Sequence, residues 1–270
     1  MHILHALATL FSNALQFDFY ALTSVSGEPT SQYISSFFHL RVGRKHDKPN
    51  LTKFKKYLHK TFNKTTPPQV NFISHRLPLT SHDIADEISK KNVVQEIIDK
   101  YNFIGVTDRL DESLVALRFI LGLDAGDILY VSAKISGGYD DGAGGNKCVK
   151  IPSSANLTQE IKTYVSSDVE FNEILSIPKL LYKAANKSLD LTIQNTIGQE
   201  IFNKALQEHL DLMSLVNEKC APKAIFPCSK NGEHQKSGKD CYYKDAVCGY
   251  NCLDELYLNE TNNACNTLEI

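Results

Sequence analysis

This 270-residue chain lacks any run of about 18 apolar residues, the length that a membrane-spanning helix needs. It also lacks a strong net charge: the formal value is −2. A global attraction to nucleic acid or to an anionic membrane is therefore excluded, and any anion site must be local. Glycine-rich phosphate loops are missing too. The stretch 137–146 fits neither G-x-G-x-x-G nor the Walker spacing and is predicted to be a surface loop.

Cysteine is nearly absent before residue 220, where Cys148 stands alone. Six cysteines follow in a polar, weakly periodic tail: Cys220, Cys228, Cys241, Cys248, Cys252 and Cys265. This clustering predicts disulfides and an oxidising compartment. Zinc is the alternative, because Cys248 and Cys252 have ligand-like spacing, although no second close pair follows them. The pairing stays open, and the odd total leaves one thiol, most simply Cys148, without a partner.

The start of the chain is apolar but has no basic leader, so it predicts an amphipathic helix over residues 2–15 rather than a signal peptide. A disulfide-bearing chain with no export signal is contradictory, and we expect that an N-terminal segment is missing. Asn-x-Ser/Thr triplets agree with a secretory location such as the Golgi lumen. They begin at Asn50, Asn63, Asn156, Asn186 and Asn259.

One stretch near the N-terminus has the pattern of a strand, a tight turn and a helix. Residues 19–25 are rich in strand formers, and Pro29 stands where a first helical turn tolerates a missing N–H. Apolar residues then recur with helical spacing over 33–38. Because a helix N-terminus offers unpaired N–H groups and a positive dipole end, the turn predicts an anion site, to which Ser35 and Ser36 add hydroxyls.

The middle of the chain repeats this order of elements. We expect a helix from Thr80 or Ser81 to about Tyr101, then a buried parallel strand over 103–107, then a helix over 112–121 with Asp111 as its N-cap. Repeated strand, turn and helix predict an α/β fold.

In an α/β fold, the residues at the carboxyl end of a strand face the ligand crevice. Thr107, Asp108 and Arg109 stand at such a place. They either contact a substrate or form an ion pair that orders the turn.

Two further regions have simpler patterns. Residues 42–71 are rich in lysine and arginine, which indicates either a solvated face or a surface that attracts an anionic nucleotide or an acidic glycan. Little aromatic interleaving argues against single-stranded nucleic acid there. From residue 157 the periodicity is helical, ending in a long helix over 189–217, and Asn186 and Asp190 are expected to cap helices.

Three segments, taken together, resemble carbohydrate sulfotransferases of the galactose-3-O-sulfotransferase and galactosylceramide sulfotransferase type. The first is Glu28-Pro-Thr-Ser-Gln-Tyr-Ile-Ser-Ser-Phe37, similar to the turn that binds the 3′-phosphate of 3′-phosphoadenosine-5′-phosphosulfate. The second covers 103–118 and 127–130, with the core Thr107-Asp-Arg-Leu-Asp-Glu-Ser113. The third covers 180–193. They occur in the family's order and extend over most of the chain.

The resemblance implies an α/β fold with three layers and a parallel sheet, like that of P-loop kinases and N-terminally incomplete. This part would occupy residues 1–217, including a helical region, before a cysteine-rich tail over 218–270. The implied reaction moves a sulfuryl group from the adenosine phosphosulfate donor to a hydroxyl of a glycan or glycolipid. Ser35, with Gln32 and Ser36, would contact the donor, and His5 would act as general base. No metal or nucleic acid is implied, and a membrane only through a missing anchor.

The sequence departs from the family at two places. Gly27 stands where an arginine opens the phosphate turn, and no Lys-Thr-Gly loop for the 5′-phosphosulfate occurs in the chain. We therefore expect no measurable sulfate transfer by this polypeptide. Three hypotheses stay open: a sulfotransferase that is incomplete as given, a non-enzymatic relative that keeps the fold and a glycan-binding surface, and an unrelated secreted cysteine-rich binding protein. A structure without a parallel sheet would favour the last.

Overall fold

A computed structural model describes a large part of the chain. The described residues are 28–43, 48–61, 85–99, 101–132, 138–140, 148–150, 157–224, 228–229, 231, 233 and 252–257. The backbone divides into two compact units: unit 1 comprises Met1–Ser113 and Pro152–Thr196, and unit 2 comprises Leu114–Ile151 and Ile197–Ile270. Among the described residues, no helix is both long and apolar enough to cross a membrane.

Helices dominate the described residues of both units. In chain order they are α1 (Pro29–Phe37), α2 (Leu51–Thr61), α3 (Glu87–Ile98), α4 (Leu110–Leu121), α5 (Gln159–Ser167), α6 (Val169–Ile174), α7 (Ser176–Leu191) and α8 (Gln199–Leu215). Segments of π-helix extend three of them: Phe38–Gly43 after α1, Thr192–Ile197 after α7 and Val216–Cys220 after α8. Short 3₁₀ turns cover Thr107–Arg109, Gly126–Ile128 and Ala221–Lys223. A last helical turn covers residues 252–257.

Helix α1 begins where its sequence predicts. Pro29 occupies the first turn, where its missing N–H costs no hydrogen bond, and the Glu28 side chain caps the helix by accepting from the Ser31 N–H. Helix α3 begins later than the position expected near Thr80 or Ser81. Asp86 is its N-cap, because the carboxylate accepts from two backbone N–H groups at 2.8 Å.

The core of unit 1 is aromatic. Phe37 of α1 lies almost perpendicular to Phe54 of α2, with ring centroids 5.1 Å apart, and Phe54 in turn contacts Tyr164 and Phe171. Phe37, Phe54 and Phe171 are fully buried. Edge-to-face ring pairs contribute about 0.5–1.5 kcal/mol each beyond the area that they bury. These contacts hold α1, α2, α5 and α6 together.

The α/β fold with a parallel sheet is wrong for the part of the chain that the structure describes. Strands there are limited to β1 (Gly138–Asp140) and β2 (Cys148–Lys150) of unit 2, which pair antiparallel. Residues 19–25, predicted to form the first strand, lie outside the described residues.

Among the described residues, the segment 103–107 joins no strand, although its pattern predicts one. Phe103, Ile104 and Val106 are buried as expected. However, the Val106 N–H donates to Ser113 Oγ at 2.8 Å, and the same hydroxyl donates to the Val106 carbonyl at 3.1 Å. These bonds join the segment to α4 through a turn. Helix α4 itself begins at Leu110, so Asp111 lies in its first turn instead of capping it.

Unit 2 contains the break in the long helix expected over 189–217. Gly198 has φ +90°, a conformation that side-chain-bearing residues rarely adopt, and α8 begins directly after it. A small buried cluster packs against the end of α8 and the turn 252–257. Its members are Leu129, Met213, Val216, Cys220 and Leu256.

Two disulfides cross-link unit 2, which confirms the predicted use of cysteine. Cys220 pairs with Cys252, and Cys148 pairs with Cys228. The expectation that Cys148 is the thiol left over is therefore wrong. The pattern misled because 80 residues separate this pair, and a lone cysteine far from a cluster gives no sequence signal of its partner. Cys241, Cys248 and Cys265 lie outside the described residues.

Candidate functional site

The predicted anion site at the start of α1 holds a carboxylate of the chain itself. Glu28 Oε2 accepts from the Ser31 N–H at 3.1 Å, and Oε1 accepts from the Thr30 hydroxyl at 2.5 Å. A helix N-terminus attracts negative charge, and here Glu28 supplies it. This arrangement does not fit the binding of a phosphate, because a second anion at the same place would be repelled.

Asp108 connects the three segments that carry the family resemblance. It belongs to the second segment and accepts hydrogen bonds from the first and the third. Its Oδ2 accepts from the backbone N–H of Glu28 at 2.9 Å and from the Tyr182 hydroxyl at 2.8 Å. The hydrogen bond to Asp108 is the main reason that the pKa of Tyr182 is raised, with burial as a smaller cause. Asp108 thereby connects the start of α1, the turn Thr107–Arg109 and α7.

Arg109 forms the ion pairs that one reading of this turn predicted. Its Nε and Nη2 donate to the two carboxylate oxygens of Glu112, and its Nη1 donates to Asp190 Oδ1 at 2.8 Å. The bidentate bonds with Glu112 are the main cause of the raised pKa of Arg109. The guanidinium therefore fixes the turn against both α4 and α7.

We call these residues together the polar cluster. It consists of Glu28, Asp108, Arg109, Glu112, Tyr182 and Asp190. Four carboxylates and one guanidinium give it a formal charge of −3. Asp108 Oδ1 and Asp190 Oδ2 accept no hydrogen bond from the described residues, and the Asp190 side chain is 42% exposed. The cluster thus presents fixed acceptor oxygens to solvent.

The residues predicted to bind the sulfate donor lie near one another on α1 and differ in how exposed they are. Ser35 is exposed, and Gln32 is half-buried one turn earlier. The Ser36 hydroxyl lies 2.5 Å from the Tyr57 hydroxyl, so it forms a hydrogen bond between α1 and α2. His5, the predicted general base, lies outside the described residues. The donor site stays a prediction.

Sequence reasoning missed two members of the polar cluster, Tyr182 and Asp190. Tyr182, Asn186 and Asp190 recur every four residues and so lie along one side of α7, a signal that was available. Asn186 and Asp190 were expected to be caps, but both lie inside the helix. Asn186 Nδ2 donates to the Tyr182 carbonyl at 2.9 Å, and Asp190 binds Arg109. Pairing over 81 residues, as for Arg109 and Asp190, leaves no local pattern.

No metal centre accompanies this cluster in the described part of the chain, where no group of three or more His, Cys, Asp or Glu side chains is placed to hold an ion. Comparison of the sequence with protein-family models and with curated proteins, and of the fold with solved structures, finds no match. The functional argument therefore depends on the residues themselves.

Proposed function

We propose that this protein is a disulfide-stabilised glycan-binding protein of the secretory pathway, and that its polar cluster binds an uncharged sugar. One observation carries the proposal. The three segments that resemble the family, far apart in sequence, are joined directly by hydrogen bonds of Asp108 and Arg109. The three segments that resemble a family of glycan-modifying enzymes therefore meet at the polar cluster.

The same geometry supports binding over sulfuryl transfer. The adenosine phosphosulfate donor is strongly anionic, whereas the cluster has a formal charge of −3 and the start of α1 is held by Glu28. An anionic donor bound at this cluster would be repelled by its carboxylates, and the energetic cost of that repulsion grows where water is excluded. An uncharged sugar meets no such penalty.

Sugar hydroxyls match what the cluster offers. Asp108 Oδ1 and Asp190 Oδ2 are charged acceptors, which form the stronger class of hydrogen bond, about 1.5–3 kcal/mol each. Arg109 and Tyr182 hold these two carboxylates in place before a ligand arrives, which lowers the entropy lost on binding. The two disulfides support an oxidising compartment, where glycans are abundant.

The test is titration of the oxidised full-length protein with a galactose-terminated oligosaccharide by isothermal calorimetry. Asp190→Asn and Tyr182→Phe should each weaken binding about tenfold, which corresponds to the loss of one hydrogen bond near 1.4 kcal/mol. Glu87→Gln is the matched control, because Glu87 is an exposed carboxylate of α3 that pairs only with Lys90 among the described residues.

Two results would contradict the proposal: no binding by the unaltered protein, or equal losses in the control and the cluster variants. A parallel assay with labelled sulfate donor addresses the transferase alternative. We expect no transfer to the oligosaccharide, and clear turnover would show that the donor site exists.

A further inference from the structure

Helix α2 has a basic outer face that the polar cluster does not use. Over its 11 residues it contains no acidic side chain. Its basic residues are Lys53, Lys55, Lys56, His59 and Lys60. Phe54, Tyr57 and Leu58 on its other side are at most 6% exposed, so the core of unit 1 fixes the helix. The fold therefore orients Lys56 and Lys60 toward solvent, while Lys53 and Lys55 are half-buried.

Two lysines on this face are uncompensated in the described part of the chain. Lys56 and Lys60 are exposed, lie one turn apart and form no ion pair with any described residue. Lys55 Nζ lies 4.4 Å from the centre of the Tyr164 ring, which holds one ammonium in place without neutralising it. An acid near the face is Glu170, whose Oε1 lies 3.7 Å from His59 Nδ1.

We propose that this basic face, defined as Lys53, Lys55, Lys56 and Lys60, binds a sulfated polysaccharide. A polyanion with regularly spaced sulfates complements lysines that recur about every 5–6 Å, one helical turn. The whole chain has a net charge of only −2, so the attraction comes from this local patch. Lysine-rich stretches of this length are typical of polyanion-binding surfaces.

Two observations favour a polysaccharide over nucleic acid as the polyanion. The aromatic residues of α2, Phe54 and Tyr57, are buried in the core, so they offer no surface on which bases can stack. The disulfides belong to an oxidising compartment, where sulfated glycans occur. This surface is independent of the polar cluster, which has the opposite charge and takes an uncharged sugar in our proposal.

The experiment measures binding of the oxidised full-length protein to a fluorescent heparin octasaccharide by anisotropy at several salt concentrations. The double variant Lys56→Gln/Lys60→Gln should bind about five- to tenfold more weakly and should depend less on salt. The matched control is Lys183→Gln/Lys187→Gln, which removes two exposed lysines with the same spacing from α7. Because all four side chains are exposed, circular dichroism should show that both variants stay folded.

The inference fails if the unaltered protein does not bind heparin at low salt, or if the control pair loses as much affinity as the α2 pair. It also fails if a single-stranded RNA of matched length and charge binds more tightly than heparin. Failure here leaves the sugar site untouched, because titration with an uncharged oligosaccharide does not involve the basic face.

Discussion

The two units hold their helices by different means. Unit 1 relies on aromatic rings: Phe37, Phe54 and Phe171 are fully buried and contact one another in chains of edge-to-face pairs. Unit 2 contains both disulfides formed by described cysteines, and Cys220 of one of them lies in a buried cluster with Leu129, Met213, Val216 and Leu256. Among the described residues, covalent cross-links are thus found in unit 2 and aromatic ring pairs hold the core of unit 1.

Core packing and covalent cross-links stabilise a fold in different ways. A small core seldom outweighs the conformational entropy lost on folding, and cross-links then reduce the entropy of the unfolded chain instead. Cys220 contributes to core packing and to cross-linking, since it is fully buried in the cluster and bonded to Cys252. Unit 1 contains no cysteine, so its stability depends on noncovalent contacts such as those of the aromatic rings.

Reduction of the disulfides should produce the largest difference in stability between the two units. A disulfide that closes a loop of 80 residues stabilises by about 4–5 kcal/mol in the chain-entropy account. Adding a reductant should therefore speed amide hydrogen exchange throughout α8 of unit 2, while amides of α1 in unit 1 stay protected. Hydrogen exchange with mass spectrometry measures both at once.

The variant Cys148→Ser/Cys228→Ser removes one disulfide without any reductant and serves as the control. It should reproduce most of the faster hydrogen exchange in α8. The comparison fails if α1 and α8 lose protection together, because unit 1 would then depend on the cross-links of unit 2.

Truncation of the aromatic core should have the next largest effect, now in unit 1. Phe37→Ala leaves a cavity among rings that cannot fully close, and such changes cost about 3–5 kcal/mol. The free energy of unfolding from urea titration measures it. Leu191→Ala, at a side chain that is 42% exposed, should cost far less. Equal losses would show that packing around Phe37 is not what stabilises unit 1.

The features that sequence predicts correctly are those with local causes. Pro29 at the start of a helix and the spacing of apolar residues after it both depend on neighbours within one or two turns, and α1 follows them. The use of cysteine for disulfides depends on composition and is likewise confirmed. Local pattern also found the buried segment around Val106.

The features that sequence predicts wrongly depend on contacts between distant residues. The Val106 segment is buried like a strand, but a serine of the next helix satisfies its backbone. The stretch 189–217 is periodic throughout, yet Gly198 breaks it through a positive φ that the periodicity does not record. The partners Cys228 for Cys148 and Asp190 for Arg109 lie about 80 residues away.

High pH should separate the units once more, by a smaller effect. Burial raises the pKa values of Tyr33, Tyr57 and Tyr164 in unit 1, that of Tyr164 to about 12. Unfolded tyrosines ionise near pH 10, so above that pH the unfolded state releases protons that the folded state keeps. The stability that these groups contribute is complete below about pH 10 and is lost as the pH rises toward 12. Burial also raises the pKa of Tyr257 in unit 2. Among the described residues, unit 2 thus has one tyrosine whose pKa is raised mainly by burial, whereas unit 1 has three.

Urea midpoints at about pH 8 and about pH 11, without thiols, measure this loss in the unaltered protein and in Tyr164→Phe. The variant cannot ionise at that position, so its midpoint should fall less between the two pH values. Tyr257→Phe is the matched change in unit 2 and should reduce the loss less than Tyr164→Phe does. An equal fall in the unaltered protein and in Tyr164→Phe would mean that the alkaline sensitivity does not originate in the aromatic core. The distinction between an aromatic unit 1 and a cross-linked unit 2 would then depend on the disulfides alone.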